Sequence, residues 1–101
     1  MVEPSTVFRK VTHQVSCQIN DEVAILDLER SLYFGLEGAG VRIWDALEQP
    51  RSLAELCDVV VSEFDVGLAD CQADVAQLLA NLEQEGLIEI AARAISGTRQ
   101  A

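Results

Sequence analysis

The chain alternates before it coils. From Val15 onward, apolar and polar positions trade places: Val15, Cys17 and Ile19 share one side, Ser16 and Gln18 the other. A period of two marks a strand with one buried face, so Val15–Ile19 is predicted as a half-buried strand. Asn20 and Asp21 follow, a pair that tolerates left-handed backbone angles and suits a tight hairpin turn. Glu22–Leu28 sets Ala24, Leu26 and Leu28 on one face and Val23 and Ile25 on the other. Apolar residues on both faces mark a central strand. Glu29 and Arg30 make a polar turn. Ser31–Leu36 alternates again, with Leu32, Phe34 and Leu36 opposite Tyr33. The three segments read as an antiparallel meander, whose last strand is an edge unless something covers it.

After a glycine-bearing link the period lengthens. Val41, Ile43, Trp44 and Leu47 stripe a helix over about Ala39–Glu48, and Pro50 stops it. Ser52-Leu53-Ala54-Glu55 has the form of a capping box. The helix it opens carries Leu53, Leu56, Cys57, Val60, Val61 and Phe64 at steps of three and four. Asp65 and Gly67 end it. A third helix spans Leu68–Glu85, with Cys71, Val75, Leu78, Leu79 and Leu82 inward and Gly86 just past its end. Leu87–Ile90 is a short strand. Residues 1–7 and 91–101 carry no core pattern and are expected to be loose, which bounds the domain at 8–90. The predicted class is α+β, winged helix-turn-helix-like, with a three-stranded antiparallel sheet packed on three helices.

Length and composition fit one globular domain: 101 residues, half of them hydrophobic. Charge bears on function. The outline invites a DNA-binding regulator, with the third helix as reader. That helix carries Asp70, Asp74, Glu83 and Glu85 and no Lys or Arg, on a chain of net charge -10. Affinity for a phosphate backbone comes from cations that displace counterions, so the charge argues against nucleic acid. No apolar run reaches the roughly 20 residues that span a bilayer, and the N-terminus lacks the apolar segment of a signal peptide. Cysteines stand at 17, 57 and 71 without a C-x-x-C pair; they read as small buried apolar side chains of a cytoplasmic protein.

Catalysis finds little to work with. His13 is the lone histidine and reads as a surface residue. There is no phosphate-binding loop, no G-x-S-x-G and no H-E-x-x-H. Asp70 and Asp74 share a solvated helix face. No catalytic residue, metal ligand or cofactor is expected. The edge strand says more. Ser31–Leu36, SLYFGL, is strongly apolar and has neither the Lys nor the Pro that usually blunts an edge. Another segment of the chain covers it, a partner strand adds to it, or a second copy pairs with it as a homodimer.

At this point the chain resembles a known family. The runs LYFGLEGAGVRIWDAL, PRSLAEL and ADVAQLLANLEQEGLIE, in that order and spacing, are similar to the PqqD-like proteins, also called RiPP recognition elements. The resemblance covers residues 8–90. It implies a winged-helix-like domain that binds the leader segment of a ribosomally made precursor peptide. In the family the leader adds as a strand beside the third strand, in a groove shared with the third helix. The domain presents it to a separate modifying enzyme, such as a leader peptidase or a radical enzyme, and carries out no reaction. Carried onto this chain, the resemblance assigns peptide contacts to Ser31, Leu32, Tyr33, Phe34 and Gly35, and to Asp74, Gln77, Leu78 and Asn81. The length and the Y-F-G-L form most resemble the discrete proteins of lasso-peptide pathways. Glu37 stands where many relatives have Asn, a departure in the strand-to-helix turn. Against the DNA alternative, a mobility-shift series at rising salt is expected to show no saturable binding to duplex DNA at any salt concentration.

Overall fold

The computed structural model describes residues 3–64 and 66–92. The expected meander is present: β2 (Gln14–Ile19), β3 (Glu22–Asp27) and β4 (Leu32–Glu37) pair antiparallel in that order. Asn20 takes the left-handed angle that its turn requires, φ 58°. Three helices cover the sheet: α1 (Ala39–Ala46), α2 (Leu53–Glu63) and α3 (Leu68–Gln84). A second antiparallel sheet was not foreseen. Its centre is β1 (Val7–Lys10), flanked by β5 (Arg51–Ser52) and β6 (Ile88–Ala92). Two-residue and four-residue strands are too short for a period of two to show in sequence.

This sheet ties down both ends of the chain. Thr6, expected in a loose segment, is buried; its carbonyl accepts from Leu53 N–H and the Pro4 carbonyl from Ala54 N–H. At the other end Ala91 and Ala92 belong to β6, where Ala92 pairs with Val7. The remainder of the expected tail, residues 93–101, lies outside the described residues, as does Asp65. α2 opens with the predicted box: Ser52 Oγ accepts from Glu55 N–H at 3.1 Å, and Ser52 N–H donates to Glu55 Oε1 at 2.9 Å. α3 closes on Gly86, φ 78°, whose N–H reaches the Glu83 carbonyl while Leu87 N–H reaches that of Leu82. That paired closure is a Schellman motif, and glycine is the residue that adopts it without strain.

The core lies between the sheets and the helices, around Phe8, Ile25, Trp44, Leu56, Leu79 and Leu87, each at most 1% exposed. One expectation fails here. Val15, Cys17 and Ile19 face solvent, and Ser16 and Gln18 are exposed too, so β2 is not half-buried. Its Ser16 side is the one toward α1, where the indole N–H of Trp44 donates to Ser16 Oγ at 3.0 Å. Cys57 and Cys71 are buried as expected, whereas Cys17 is exposed. Leu79→Ala removes a fully buried side chain from α3 and is expected to cost about 2–5 kcal/mol. Urea unfolding measures it as a lower midpoint at unchanged slope.

Candidate functional site

β4 is one of the two edges of its sheet, β2 being the other. It pairs with β3, from Leu32 opposite Asp27 to Glu37 opposite Glu22, and no described residue pairs with its other side. Alternate residues therefore present backbone N–H and C=O groups to solvent. Along the strand Leu32, Tyr33 and Gly35 are exposed, while Phe34 and Leu36 lean on the core. Ser31 stands apart from the other predicted strand contacts. It ends the preceding turn at φ 57°, and its N–H is taken by the Asp27 carbonyl at 2.9 Å. The segment SLYFGL thus offers an edge from Leu32, not from Ser31.

Across from β4 runs α3. β4 leans chiefly on β3 and α1, and α3 on α2 and β6. They close up at Gly40, where an added Cβ would sit 3.5 Å from Leu36 and 3.7 Å from Leu78. A Cβ at Gly40 would make ordinary van der Waals contact with both, so the position marks the convergence of strand, link and helix without requiring glycine. Asp74, Leu78 and Asn81 follow one another along one stripe of α3, and Gln77 lies beside it, donating to Asn81 Oδ1 at 3.1 Å. Gln77 and Asn81 are exposed.

Asp74 and Leu78 also border a pocket that sequence reasoning missed. It has a volume of about 170 Å³ and an apolar lining that includes Ile43, Val60, Phe64 and Val66. A volume near 150 Å³ accepts a benzene ring in other proteins, so this pocket can take one aliphatic or aromatic side chain. Phe64 and Val66 were legible only as the run-out of a helix. Their convergence with Ile43 of α1 is tertiary and leaves no local signal.

The second unpredicted feature is polar. Asp27 is 1% exposed, in a position read only as the end of a strand. Its Oδ1 accepts from Glu29 N–H at 2.9 Å and Arg30 N–H at 3.2 Å, and its Oδ2 from Arg30 Nε at 2.8 Å. The far side of the same guanidinium donates to the carbonyl of Glu85 at the end of α3. The bond from Arg30 holds the Asp27 carboxyl below its ordinary value; burial opposes the shift, and the two backbone N–H groups reinforce it.

No other group has the surroundings of a catalyst. Burial, with Cys71 alongside, pushes the Cys57 thiol up to about 11, which leaves no thiolate to attack at neutral pH. Half-buried His13 sits 3.8 Å from Glu29 Oε2. Among the described residues no three His, Cys, Asp or Glu side chains gather as metal ligands, and no helix is long and apolar enough to cross a membrane.

Three helices and an antiparallel meander with open edges at β2 and β4 define a winged-helix-like α+β scaffold. Comparison with known proteins places it. The family described as coenzyme PQQ synthesis protein D (PqqD) matches residues 22–88, and the chain belongs to that family. A PqqA binding protein of Xanthomonas oryzae pv. oryzae is 42% identical over 40 residues, which cover 40% of this chain and 44% of that protein. The match thus spans less than half the length of the curated relative. The solved structure of TbiB1 in complex with the TbiA(beta) leader peptide superposes with a TM-score of 0.76 at 31% identity, covering 85% of this chain and 98% of TbiB1. Lasso peptide synthetase B1, complexed with its leader peptide, shares the fold: TM-score 0.73 and 24% identity over 81% of this chain and 96% of that one.

The lowered Asp27 carboxyl has a pH signature. A carboxyl depressed in the folded state stabilises it fully above the unfolded value of 3.8, and that stabilisation is lost as pH falls through the lower folded value. Asp27→Asn is expected to destabilise the protein at neutral pH and to flatten the acid limb of its stability curve. Thermal melts from pH 7 to pH 2 measure both.

Proposed function

We propose that this protein binds the leader segment of a ribosomally synthesised precursor peptide and delivers it to a separate modifying enzyme, without a reaction of its own. The observation that carries the reading is the bare β4 edge together with an apolar pocket among the three helices, whose Gly40 lies next to Leu36 at the end of β4. The relatives support it. One is named for binding PqqA, and two solved neighbours are described with leader peptides. The likeness to lasso peptide synthetase B1 favours a lasso-peptide pathway, in which a leader peptidase is the enzyme served. Free thiols at Cys17, Cys57 and Cys71 fit work in a reducing, cytoplasmic setting.

The mechanism follows from the geometry. A strand laid on β4 gains main-chain hydrogen bonds whatever its sequence, and its side chains then fall alternately to the two faces of the extended sheet. Those on the inner face, beside Phe34 and Leu36, turn toward the groove and the pocket bordered by Asp74 and Leu78. Leu32, Tyr33 and Gly35 flank the added strand, and Gln77 and Asn81 offer polar groups from the helix. An apolar anchor in the pocket selects the leader, and Asp74 favours a basic neighbour. Once the leader is held, the attached core peptide stands at high effective concentration before the enzyme.

The test titrates the protein with two fluorescein-labelled peptides: the leader of the precursor encoded beside it, and the TbiA(beta) leader. Saturable binding of the first is expected; its absence defeats the reading. The bound leader is then N-methylated one residue at a time. Strand addition predicts that affinity falls roughly five- to tenfold at every second position of the paired segment and little between. A series with no alternation rules out pairing on β4.

A further inference from the structure

β4 and α3 each pack chiefly on other elements and approach each other at two places. At one end Leu36 and Leu78 meet over Gly40. At the other, Arg30 is held twice: its Nε by the buried Asp27 carboxylate at 2.8 Å, its terminal nitrogen by the Glu85 carbonyl. Between these two ties β4 and α3 run past each other in opposite directions. Arg30 belongs to the turn that launches β4, and Glu85 caps the end of α3.

We infer that Arg30 is a positioning residue for peptide binding: it latches the β3–β4 turn to the C-terminus of α3 and so holds the groove at its binding width. The inference rests on the reading of the groove as the leader site. Three observations carry it. The guanidinium fork spans two elements that share no other polar bond among the described residues. The last turn of α3 has no basic residue of its own, so Arg30 supplies the cation that a helix C-terminus favours. The partner that aims it, Asp27, is anchored by the turn's own N–H groups, which leaves the fork little freedom to swing. A groove fixed before the peptide arrives spares the ordering cost of binding.

The proposal separates from a plain stabilising role by its readouts. In the free protein, hydrogen exchange is compared between wild type and Arg30→Met at the amides of β4 and at residues 82–86. Faster exchange confined to those two segments is expected. Leader affinity is then measured on the folded fraction at a temperature well below both melting points. Arg30→Met is expected to weaken it about tenfold, and Arg30→Lys, which keeps the charge without the planar fork, to fall between. Leu53→Ala, a buried change at the start of α2 away from the groove, is the reference; it should lower the melting temperature with affinity retained. Equal loss of affinity in the Met variant and the reference, or unchanged exchange in β4 and α3, overturns the latch. If wild type binds neither leader, the peptide reading fails, and the exchange data still decide whether Arg30 holds the two walls.

Discussion

A buried indole must find a hydrogen-bond acceptor, and here one serine supplies it. Trp44 is 1% exposed and the largest fully buried side chain of the chain. Leaving its N–H unpaired in the core would cost on the order of 1–3 kcal/mol. Ser16 Oγ meets that need, and Lys10, at 4.3 Å from the ring centroid, covers the indole from the other sheet. Ser16 lies on the same face of the meander as buried Ile25, and strand alternation carries that face across the sheet. Ile25 and Phe34 are the inward partners of Ser16 across the sheet, and Val15, Leu26 and Tyr33 form the outward row. The edge strand keeps the same alternation, with Phe34 packed on the core beside Ile25 and Tyr33 turned away.

The same bond marks where sequence reasoning held and where it did not. Periods of two and of 3.6 placed the meander and the helices to within a residue or two, and Ser52, Asn20 and Gly86 were readable because their roles are local. The face of β2 was misread because its apolar residues, Val15, Cys17 and Ile19, are the ones left outside. Alternation reports that two faces differ, not which one the helices take. β1 and β5 escaped because each is a strand only by virtue of its partners. At the site, the bare edge was legible from an apolar run without Lys or Pro. The pocket and the tie from Arg30 to Glu85 were not, since each joins residues tens of positions apart.

The fold and the charge tell different stories, and the charge is the better guide to function. Three helices and short strands would suit a DNA reader. Here the last helix has acids at Asp70, Asp74, Glu83 and Glu85 and no Lys or Arg. In the proposed reading that helix is a wall of the peptide site, and binding falls to backbone groups and one apolar pocket.

The net charge of -10 has a further consequence for the open edge. An apolar strand with free backbone groups is an invitation to stack copy upon copy. Two identical domains approaching edge to edge bring their like charges together over distances within the reach of electrostatics in physiological salt, about 8 Å. A short peptide of low charge meets far less of that repulsion. Colloidal repulsion thereby acts as a filter on size and charge: it keeps the β4 edge available to a slender visitor while holding sibling molecules apart.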